Sequence, residues 1–239
     1  AYTCKMEDIK DRLKLPDALP PVRRTIDLPA KDYRVMRELN SEFVAECNQG
    51  HIVVNNVLTK LVRLQQIASG FCFTQEGPLG DKQLQELNTA KEDALSDMLT
   101  DLNGKSHIVV FCLFKHDLDA VARSADKCKI KCFELSGRAN SFTEWKEQGG
   151  VLAVQIQAGA EGVDMTMANH AIYYSVPHSL ALYNQSKARL YRPNQTRPVV
   201  FTHLIAANTV DVPMYNSLIK KEDIIESIKD GRFDFGYLK

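Results

Sequence analysis

The chain has 239 residues, of which 44% are hydrophobic and 25% are charged, a composition typical of a soluble globular protein with a sizeable core. Its 30 basic and 30 acidic residues cancel, so no overall field attracts nucleic acid or an anionic membrane, and any nucleic-acid contact must be local. No apolar run reaches the ~20 residues of a membrane span, and no signal peptide is visible.

The six cysteines show no CxxC pair and no matching histidine spacing. Neither a zinc site nor a redox motif is therefore indicated, and we expect no metal ligands in this chain. Two of the cysteines lie inside apolar runs, where we expect buried free thiols, and these are typical of proteins in a reducing environment. We expect an intracellular protein, cytoplasmic if its source is a bacterium or a phage.

The first hundred residues divide into a connector and a helical segment. Residues 1–30 contain four prolines between positions 16 and 29, which favour an extended, poorly helical chain. Residues 31–104 place apolar side chains three and four apart, as in YRVMRELNSEFVAEC and VLTKLVRLQQIA. That spacing predicts helices.

From residue 105 to residue 239 the sequence changes to short β-branched runs, apolar on both faces and separated by helical or loop stretches. This pattern predicts parallel strands with crossover helices, and so an α/β sheet flanked by helices. The tail, residues 209–229, has the apolar stripe of an amphipathic helix. The predicted strands cover residues 107–114, 128–135, 151–156, 170–176 and 198–205.

Ligands of parallel α/β sheets gather where strands end and loops lead into helices. The loop QAGAEGVDM contains Gly159 and Gly162, which permit close backbone approach to a bound group. A dinucleotide fingerprint would need glycine where Gln157 stands and an acid about 20 residues beyond the last glycine, and neither is present. The GKS at residues 104–106 precedes a strand and lacks the first glycine of a P-loop, which excludes that motif.

Two arginines are expected to share one face of a helix. Pro193 disfavours helical geometry at the residue before it, so the helix should run from about residue 180 to 191 or 192, with Gln185, Arg189 and Arg192 on one stripe. Guanidinium groups fork onto phosphate oxygens and can hold the charge that develops during phosphoryl transfer. Because the chain shows neither a P-loop nor adjacent acids for magnesium, such a nucleotide would have to be bound mainly elsewhere.

Three segments, HIVVFCLFKHDLDAV, VLAVQIQAGAEGVDMTMANHAIYYS and YNQSKARLYRPNQ, resemble motifs IV, V and VI of superfamily-two helicases in sequence and spacing. They are similar in particular to Swi/Snf-type DNA translocases, whose motif VI string is matched by Gln185, Arg189, Arg192 and Gln195. The resemblance implies a RecA-like C-terminal lobe at residues 105–239, with residues 1–30 as the connector between two motor lobes. The first lobe, with its P-loop and magnesium-binding acids, is absent.

The resemblance also implies roles for single residues. Arg192 takes the arginine-finger position, Arg189 lies beside it on the phosphates, and Gln185 supports both. Asp164 matches the acid that related helicases place on the nucleotide sugar, although Swi/Snf-type proteins usually have asparagine there. The motif V residues, which in this family couple nucleotide state to DNA, are Gly159, Glu161, Gly162 and Asp164.

One departure from the family concerns the DNA contact. Many relatives carry threonine or serine where Ile156 stands, and that hydroxyl bonds the nucleic-acid backbone. Isoleucine cannot make the bond, so we expect it to pass to Gln155, Gln157 or nearby backbone N–H groups. Lys115, in the loop after the motif IV strand, is a further candidate phosphate contact.

The resemblance therefore implies the second motor lobe of an ATP-dependent DNA helicase or translocase. ATP and magnesium would be held mainly by the N-terminal RecA-like lobe of the same parent protein, double-stranded DNA would be the partner, and no membrane would be involved. One alternative is a self-contained doubly wound enzyme that binds a nucleotide or S-adenosylmethionine on QAGAEG. Another is a non-catalytic interaction domain, against which the intact arginine pair weighs.

Overall fold

The computed structural model describes residues 19–42, 44–47, 50–53, 56–75, 82–102, 107–158, 162–222, 224–230 and 233. Ten strands and eight helices lie within these ranges. In chain order the strands are β1 (Val22–Ile26), β2 (Val44–Cys47), β3 (Gly50–Val53), β4 (Phe71–Gln75), β5 (Lys82–Glu86), β6 (His107–Cys112), β7 (Cys132–Leu135), β8 (Gly150–Gln155), β9 (His170–Tyr173) and β10 (Val200–Ala206). The helices are α1 (Ala30–Glu42), α2 (Val57–Ala68), α3 (Ala90–Asp101), α4 (Lys115–Lys127), α5 (Phe142–Gln148), α6 (Leu180–Leu190), α7 (Asp211–Ile219) and α8 (Ile224–Lys229).

Six strands form one parallel sheet in the order β1-β10-β9-β6-β8-β7. The five strands predicted from the β-branched runs are all present, and helices flank the sheet on both faces, which confirms the predicted RecA-like α/β fold. Their sequences are apolar on both sides because each side of the sheet is covered by helices. The sixth strand, β1, lies in the segment predicted as a connector and occupies the sheet edge beside β10.

Each face of the sheet packs on its own set of helices. On one face, α3 and α4 cover the alternate strand residues, and the buried members include Leu95, Leu99, Ile108, Val110, Leu118, Val121 and Val151. On the other, α5, α6 and α7 cover the remaining strand residues, with Val109, Phe111, Trp145, Leu152, Tyr183, Leu190 and Met214 buried. Full burial of each large apolar side chain contributes about 1.5–3 kcal/mol, so both helix layers are held firmly to the sheet.

The segment 31–104 contains the expected helices and also a second sheet. Helices α1, α2 and α3 lie within or at its start, and strands β2-β3-β4-β5 form an antiparallel four-stranded sheet between them. The helical spacing of this segment does not predict these strands, each of which has only four or five residues. Phe71 of β4 packs this small sheet against the residue that precedes α4, because its ring centroid lies 5.5 Å from that of Phe114. The domain boundaries at residues 30 and 104 stay a prediction.

The tail contains two helices in place of the single predicted one. Helix α7 ends at Ile219, and Lys221 follows with a left-handed φ of 61°, which interrupts the helix before α8 begins. Val210, Met214 and Leu218 are buried against the sheet as the apolar stripe predicted. In the part of the chain that the structure describes, no helix has both the length and the apolar character that crossing a membrane requires.

Candidate functional site

The predicted site residues lie at one edge of the main sheet, where its parallel strands end. Three loops meet there. The first connects β6 to α4, the second connects β8 to β9, and the third connects β9 to α6. Strands β8 and β9 are paired with β6 on either side, so the three loops leave from neighbouring positions. Open α/β sheets bind ligands at this edge.

Helix α6 presents its polar residues away from the core. Its first turn is capped by Ser179, whose hydroxyl accepts the Leu182 N–H at 3.4 Å. Tyr183 and Leu190 are buried on the sheet side, whereas Gln185 is exposed. The predicted division between a packed side and a polar side is present in the structure.

Arg192 does not lie on the helix itself, in contrast to the predicted stripe. Helix α6 ends at Leu190, and Arg192 is in the turn that follows, because Pro193 disfavours helical geometry at the residue before it. Its Nε donates to the Ala188 carbonyl at 2.7 Å, which folds the side chain back along the last helical turn. This bond uses only Nε, so the two terminal nitrogens of Arg192 keep the forked geometry that suits phosphate oxygens.

Arg189 and Arg192 are nevertheless electrostatic neighbours. Burial lowers the pKa of Arg189, and the positive charge of Arg192 lowers that pKa further. Both side chains are half-buried. Two like charges held together in this way would be stabilised by a bound anion, and phosphate oxygens match the planar guanidinium fork.

The loop from residue 156 to residue 169, called here the β8–β9 loop, approaches the same arginines. The pKa of Asp164 is lowered: partial burial opposes the shift, but the Thr166 N–H, 3.0 Å from Oδ1, the Thr166 hydroxyl and the charge of Arg192 outweigh it. Gly162 is exposed and adopts a left-handed φ of 55°, a conformation that glycine adopts without strain. The other two predicted residues of this loop, Gly159 and Glu161, lie outside the described residues.

A buried glutamine joins the loop to the helix. Gln195 is 2% exposed, and its Nε2 lies 3.1 Å from the Thr166 carbonyl, 2.9 Å from that of Ala168 and 3.2 Å from that of Leu190. Gln195 matches motif VI in sequence, but that match implies no role for it. Sequence alone does not show which carbonyls the amide reaches.

The predicted nucleic-acid contacts lie on the β6 and β8 side of the same edge. Cys112 and Gln155 are register partners at the ends of those strands, and Lys115 is exposed at the start of α4. Gln157 is also exposed, while Gln155 is half-buried with its Oε1 3.5 Å from the Gly137 N–H. Ile156 is 3% exposed, in keeping with the expectation that it makes no polar contact.

The edge also holds the buried carboxylate of Asp117, whose Oδ2 accepts the Ser175 hydroxyl and the Leu113 and Phe114 N–H groups. Within the described ranges, no group of three histidines, cysteines, aspartates or glutamates is arranged to hold a metal ion. The chemistry that these residues offer is therefore recognition of anions by guanidinium and ammonium groups, with one carboxylate, Asp164, beside them.

Comparison with known proteins finds similar sequences that share this arrangement. The model of the helicase conserved C-terminal domain matches residues 90–194, which include α3, the β8–β9 loop and the arginine pair. An uncharacterized ATP-dependent helicase of Mycoplasma genitalium is 24% identical over 180 residues, covering 72% of this chain and 17% of that protein. A SWI/SNF-related regulator of chromatin of subfamily A containing DEAD/H box 1, from Caenorhabditis elegans, is 24% identical over 180 residues, or 71% of this chain and 18% of that protein.

The fold has a solved counterpart in the C-terminal part of the Fun30 ATPase domain. That structure aligns with a TM-score of 0.57 at 14% identity and covers 90% of this chain and 100% of its own. The chain spans between 17% and 40% of the length of the first three curated relatives that it matches. The domain match, the SWI/SNF-related relatives and the shared fold together confirm the resemblance of this chain to the C-terminal, RecA-like lobe of Swi/Snf-type superfamily-two helicases.

Proposed function

We propose that this chain is the second motor lobe of a DNA-dependent ATPase, in which Arg189 and Arg192 contact the phosphates of an ATP molecule bound mainly by a first lobe. The observation that carries the proposal is the placement of two neighbouring guanidinium groups beside Asp164, at the sheet edge where such folds bind ligands. ATP-dependent helicases among the relatives support the choice of nucleotide.

The arginines would act on the transferring phosphoryl group. Negative charge on the γ-phosphoryl oxygens is stabilised in the transition state by a fixed cation, and an arginine in this role contributes about 10³ to 10⁵ in rate. Arg192 is the proposed finger, because its turn lies beyond the helix and its terminal nitrogens remain available. Arg189 would hold the adjoining oxygens, with the exposed Gln185 one turn earlier as support.

The β8–β9 loop would contact the remainder of the nucleotide. Asp164, whose pKa is lowered by Thr166 and Arg192, is ionised at neutral pH and suited to accept hydrogen bonds from sugar hydroxyls. Gly162, together with Gly159 and Glu161, would connect this contact to the DNA side of the loop. The described residues have no cluster of acids for magnesium, so the first lobe would supply the ligands of that ion.

The DNA contact would use the β6 and β8 side of the edge. Lys115 and Gln157 are exposed there, and Gln155 is the last residue of β8. A few local phosphate contacts of this kind suffice for tracking along a duplex, so the zero net charge of the chain is compatible with double-stranded DNA as partner. Gln157 and Asp164 both lie on the β8–β9 loop, so this loop would connect ATP hydrolysis to movement along DNA.

The test compares the 239-residue chain with a protein in which it is joined to the preceding lobe of its gene. We expect negligible ATP hydrolysis by the chain alone, DNA-stimulated hydrolysis by the joined protein, and a loss of about 10³-fold or more in the joined Arg192→Ala variant. Arg34→Ala, which removes an exposed arginine from α1, is the matched control and should keep full activity.

Tight nucleotide binding and turnover by the isolated chain would favour a self-contained enzyme instead. An unimpaired Arg192→Ala motor would refute the proposed role of the arginine pair.

A further inference from the structure

We propose that Gln195 is a positioning residue, which fixes the arginine pair and the β8–β9 loop relative to each other. The proposal rests on the proposed function, since it concerns the geometry of the site where ATP would be hydrolysed. It adds a residue whose side chain is 2% exposed and would touch neither nucleotide nor DNA.

The first part of the argument is the contact with the β8–β9 loop. The Gln195 amide approaches the carbonyls of Thr166 at 3.1 Å and Ala168 at 2.9 Å. Thr166 and Ala168 lie outside helices and strands, so their carbonyls are not part of a regular helix or sheet hydrogen-bond pattern. Because the Thr166 N–H is bonded to the Asp164 carboxylate, fixing Thr166 also fixes Asp164.

The second part is the contact with the end of α6. The same nitrogen lies 3.2 Å from the Leu190 carbonyl, one of the helix-terminal carbonyls that have no partner within the helix. The Gln195 backbone N–H donates to the Arg192 carbonyl at 2.8 Å and so closes the turn that holds Arg192. Leu190 is between the two arginines in sequence, so one side chain restrains both of them.

A third contact closes the arrangement independently of the side chain. The Met165 N–H donates to the Arg189 carbonyl at 3.0 Å, which joins loop and helix directly by their backbones. The two side-chain amide protons of Gln195 are shared among the carbonyls of Thr166, Ala168 and Leu190. Together with the Met165–Arg189 bond they form a small network, so the β8–β9 loop and the end of α6 should move as one unit. Loss of the amide should leave the lobe folded but release the arginines from Asp164.

The consequence is a specific kinetic signature. Catalysis by oriented groups is sensitive to displacement, and a shift of about 1 Å can cost about 100-fold in rate. Initial binding of ATP would come mainly from the first lobe, so the loss should appear in kcat and not in KM. A purely structural role would lower the stability of the lobe without this split.

The experiment uses Gln195→Met and Gln195→Glu in the joined two-lobe protein. Both keep the length of the side chain; methionine has no N–H or O–H donor, and glutamate has at most one where glutamine has two. Gln65→Met is the matched control, because Gln65 is equally buried at 1% exposure and also donates to a backbone carbonyl, that of Val176 at 2.9 Å. We expect kcat to fall on the order of 100-fold in the Gln195 variants with KM for ATP changed less than about threefold, and kcat to stay unchanged in Gln65→Met.

Hydrogen exchange in the 239-residue chain supplies a second readout that does not depend on the first lobe. The amides of Met165 and Gln195 should exchange faster in Gln195→Met, while those of β6 and β8 stay protected as in the wild type. An unchanged kcat, an equal loss in Gln65→Met, or unchanged exchange at Met165 would overturn the inference. The proposed function is tested separately by Arg192→Ala, so the two can fail independently.

Discussion

Lys91 on α3 and Asp211 on α7 form a buried ion pair, with 2.7 Å between Nζ and Oδ2 and each side chain 1% exposed. The ammonium also donates to the Tyr174 carbonyl at 3.1 Å, and the carboxylate accepts the Ala206 N–H at 3.1 Å. The pair thus connects helices on opposite faces of the sheet past the ends of β9 and β10. It also joins the matched helicase domain, residues 90–194, to a helix that lies beyond it.

Breaking this pair should destabilise the lobe strongly. Lys91→Met leaves a carboxylate buried without its counter-ion, and we expect the free energy of unfolding to fall by about 3–5 kcal/mol. The double variant Lys91→Met/Asp211→Leu removes both charges and should lose clearly less than the sum of the two single changes. Urea unfolding measures both effects.

The matched control is an exposed pair. Arg34 and Glu38 are 3.7 Å apart with side chains 72% and 39% exposed, so Arg34→Met should change stability by less than about 1 kcal/mol. Strictly additive losses at Lys91 and Asp211 would contradict the coupling described here.

The buried carboxyl of Asp117 should make the folding stability of the chain depend on pH. Burial raises the pKa of this carboxyl to about 6, although the Phe114 N–H, the Ser175 hydroxyl and Lys91 oppose the shift. Because the folded-state pKa lies above the ordinary value of 3.8, the folded chain binds the proton more tightly than the unfolded chain. The resulting stabilisation is complete below about pH 4 and is lost as the pH rises through about 6.

Asp117→Asn removes this titration and keeps an oxygen for the Leu113 and Phe114 N–H groups. We expect the variant to gain on the order of 3 kcal/mol relative to the wild type between pH 4 and pH 7. Urea unfolding of both chains over that range measures the difference. Parallel pH profiles of the two chains would show that Asp117 titrates normally.

Gly150, at the start of β8, is a position where we expect alanine to destabilise the fold. Its φ is 103°, and an added Cβ would lie 2.5 Å from the Lys131 carbonyl oxygen, which is backbone and cannot move aside easily. Gly150→Ala should therefore cost at least about 1–3 kcal/mol of stability. Gly137→Ala is the control, since a Cβ there meets nothing within 4 Å, and its midpoint in thermal unfolding should stay near that of the wild type. Equal midpoints for the two variants would refute this account.

Lys115 tests the proposed DNA contact. Loss of one phosphate contact in Lys115→Ala should weaken binding of a DNA duplex and make the slope of log K against log salt shallower by about 0.9. Lys220→Ala removes an exposed lysine that directly follows α7, outside the proposed DNA interface, and should leave the slope unchanged. Fluorescence anisotropy across a salt series measures both, and identical slopes for the two variants would exclude Lys115 from the interface.

The sequence predicts the main sheet well because its strands are buried on both faces. β6, β8, β9 and β10 are continuous apolar runs, and length and spacing separate them from helices. β1 has no such signal: in VRRTI four of the five residues are exposed, as suits an edge strand, and its identity depends on pairing with β10, some 180 positions away. The pairing of Val22 with Thr202 depends on the tertiary structure, so no short stretch of sequence can show it.

The candidate site is predictable in its residue types and less so in its geometry. The spacing of Gln185, Arg189 and Arg192 identifies the helix and its polar side. The exact end of α6 at Leu190 is harder to predict, because Pro193 disfavours helical geometry while the last backbone hydrogen bonds of the helix favour it. Gln195 reaches carbonyls 27 and 29 residues away, so its function is invisible before the chain is folded. The roles of Gly159, Glu161, Gln155 and Gln157 stay predictions.

The pairing of β1 with β10 has a consequence for biosynthesis. β1 ends at Ile26 and its partner starts at Val200, so at about 5–20 residues per second the ribosome needs about 10–35 s to make the partner after finishing the first strand. During that interval the edge strand cannot dock, and the other strands of the sheet can assemble without it. β1 can therefore join the edge of the sheet only after β10 has been made, long after β1 itself has left the ribosome.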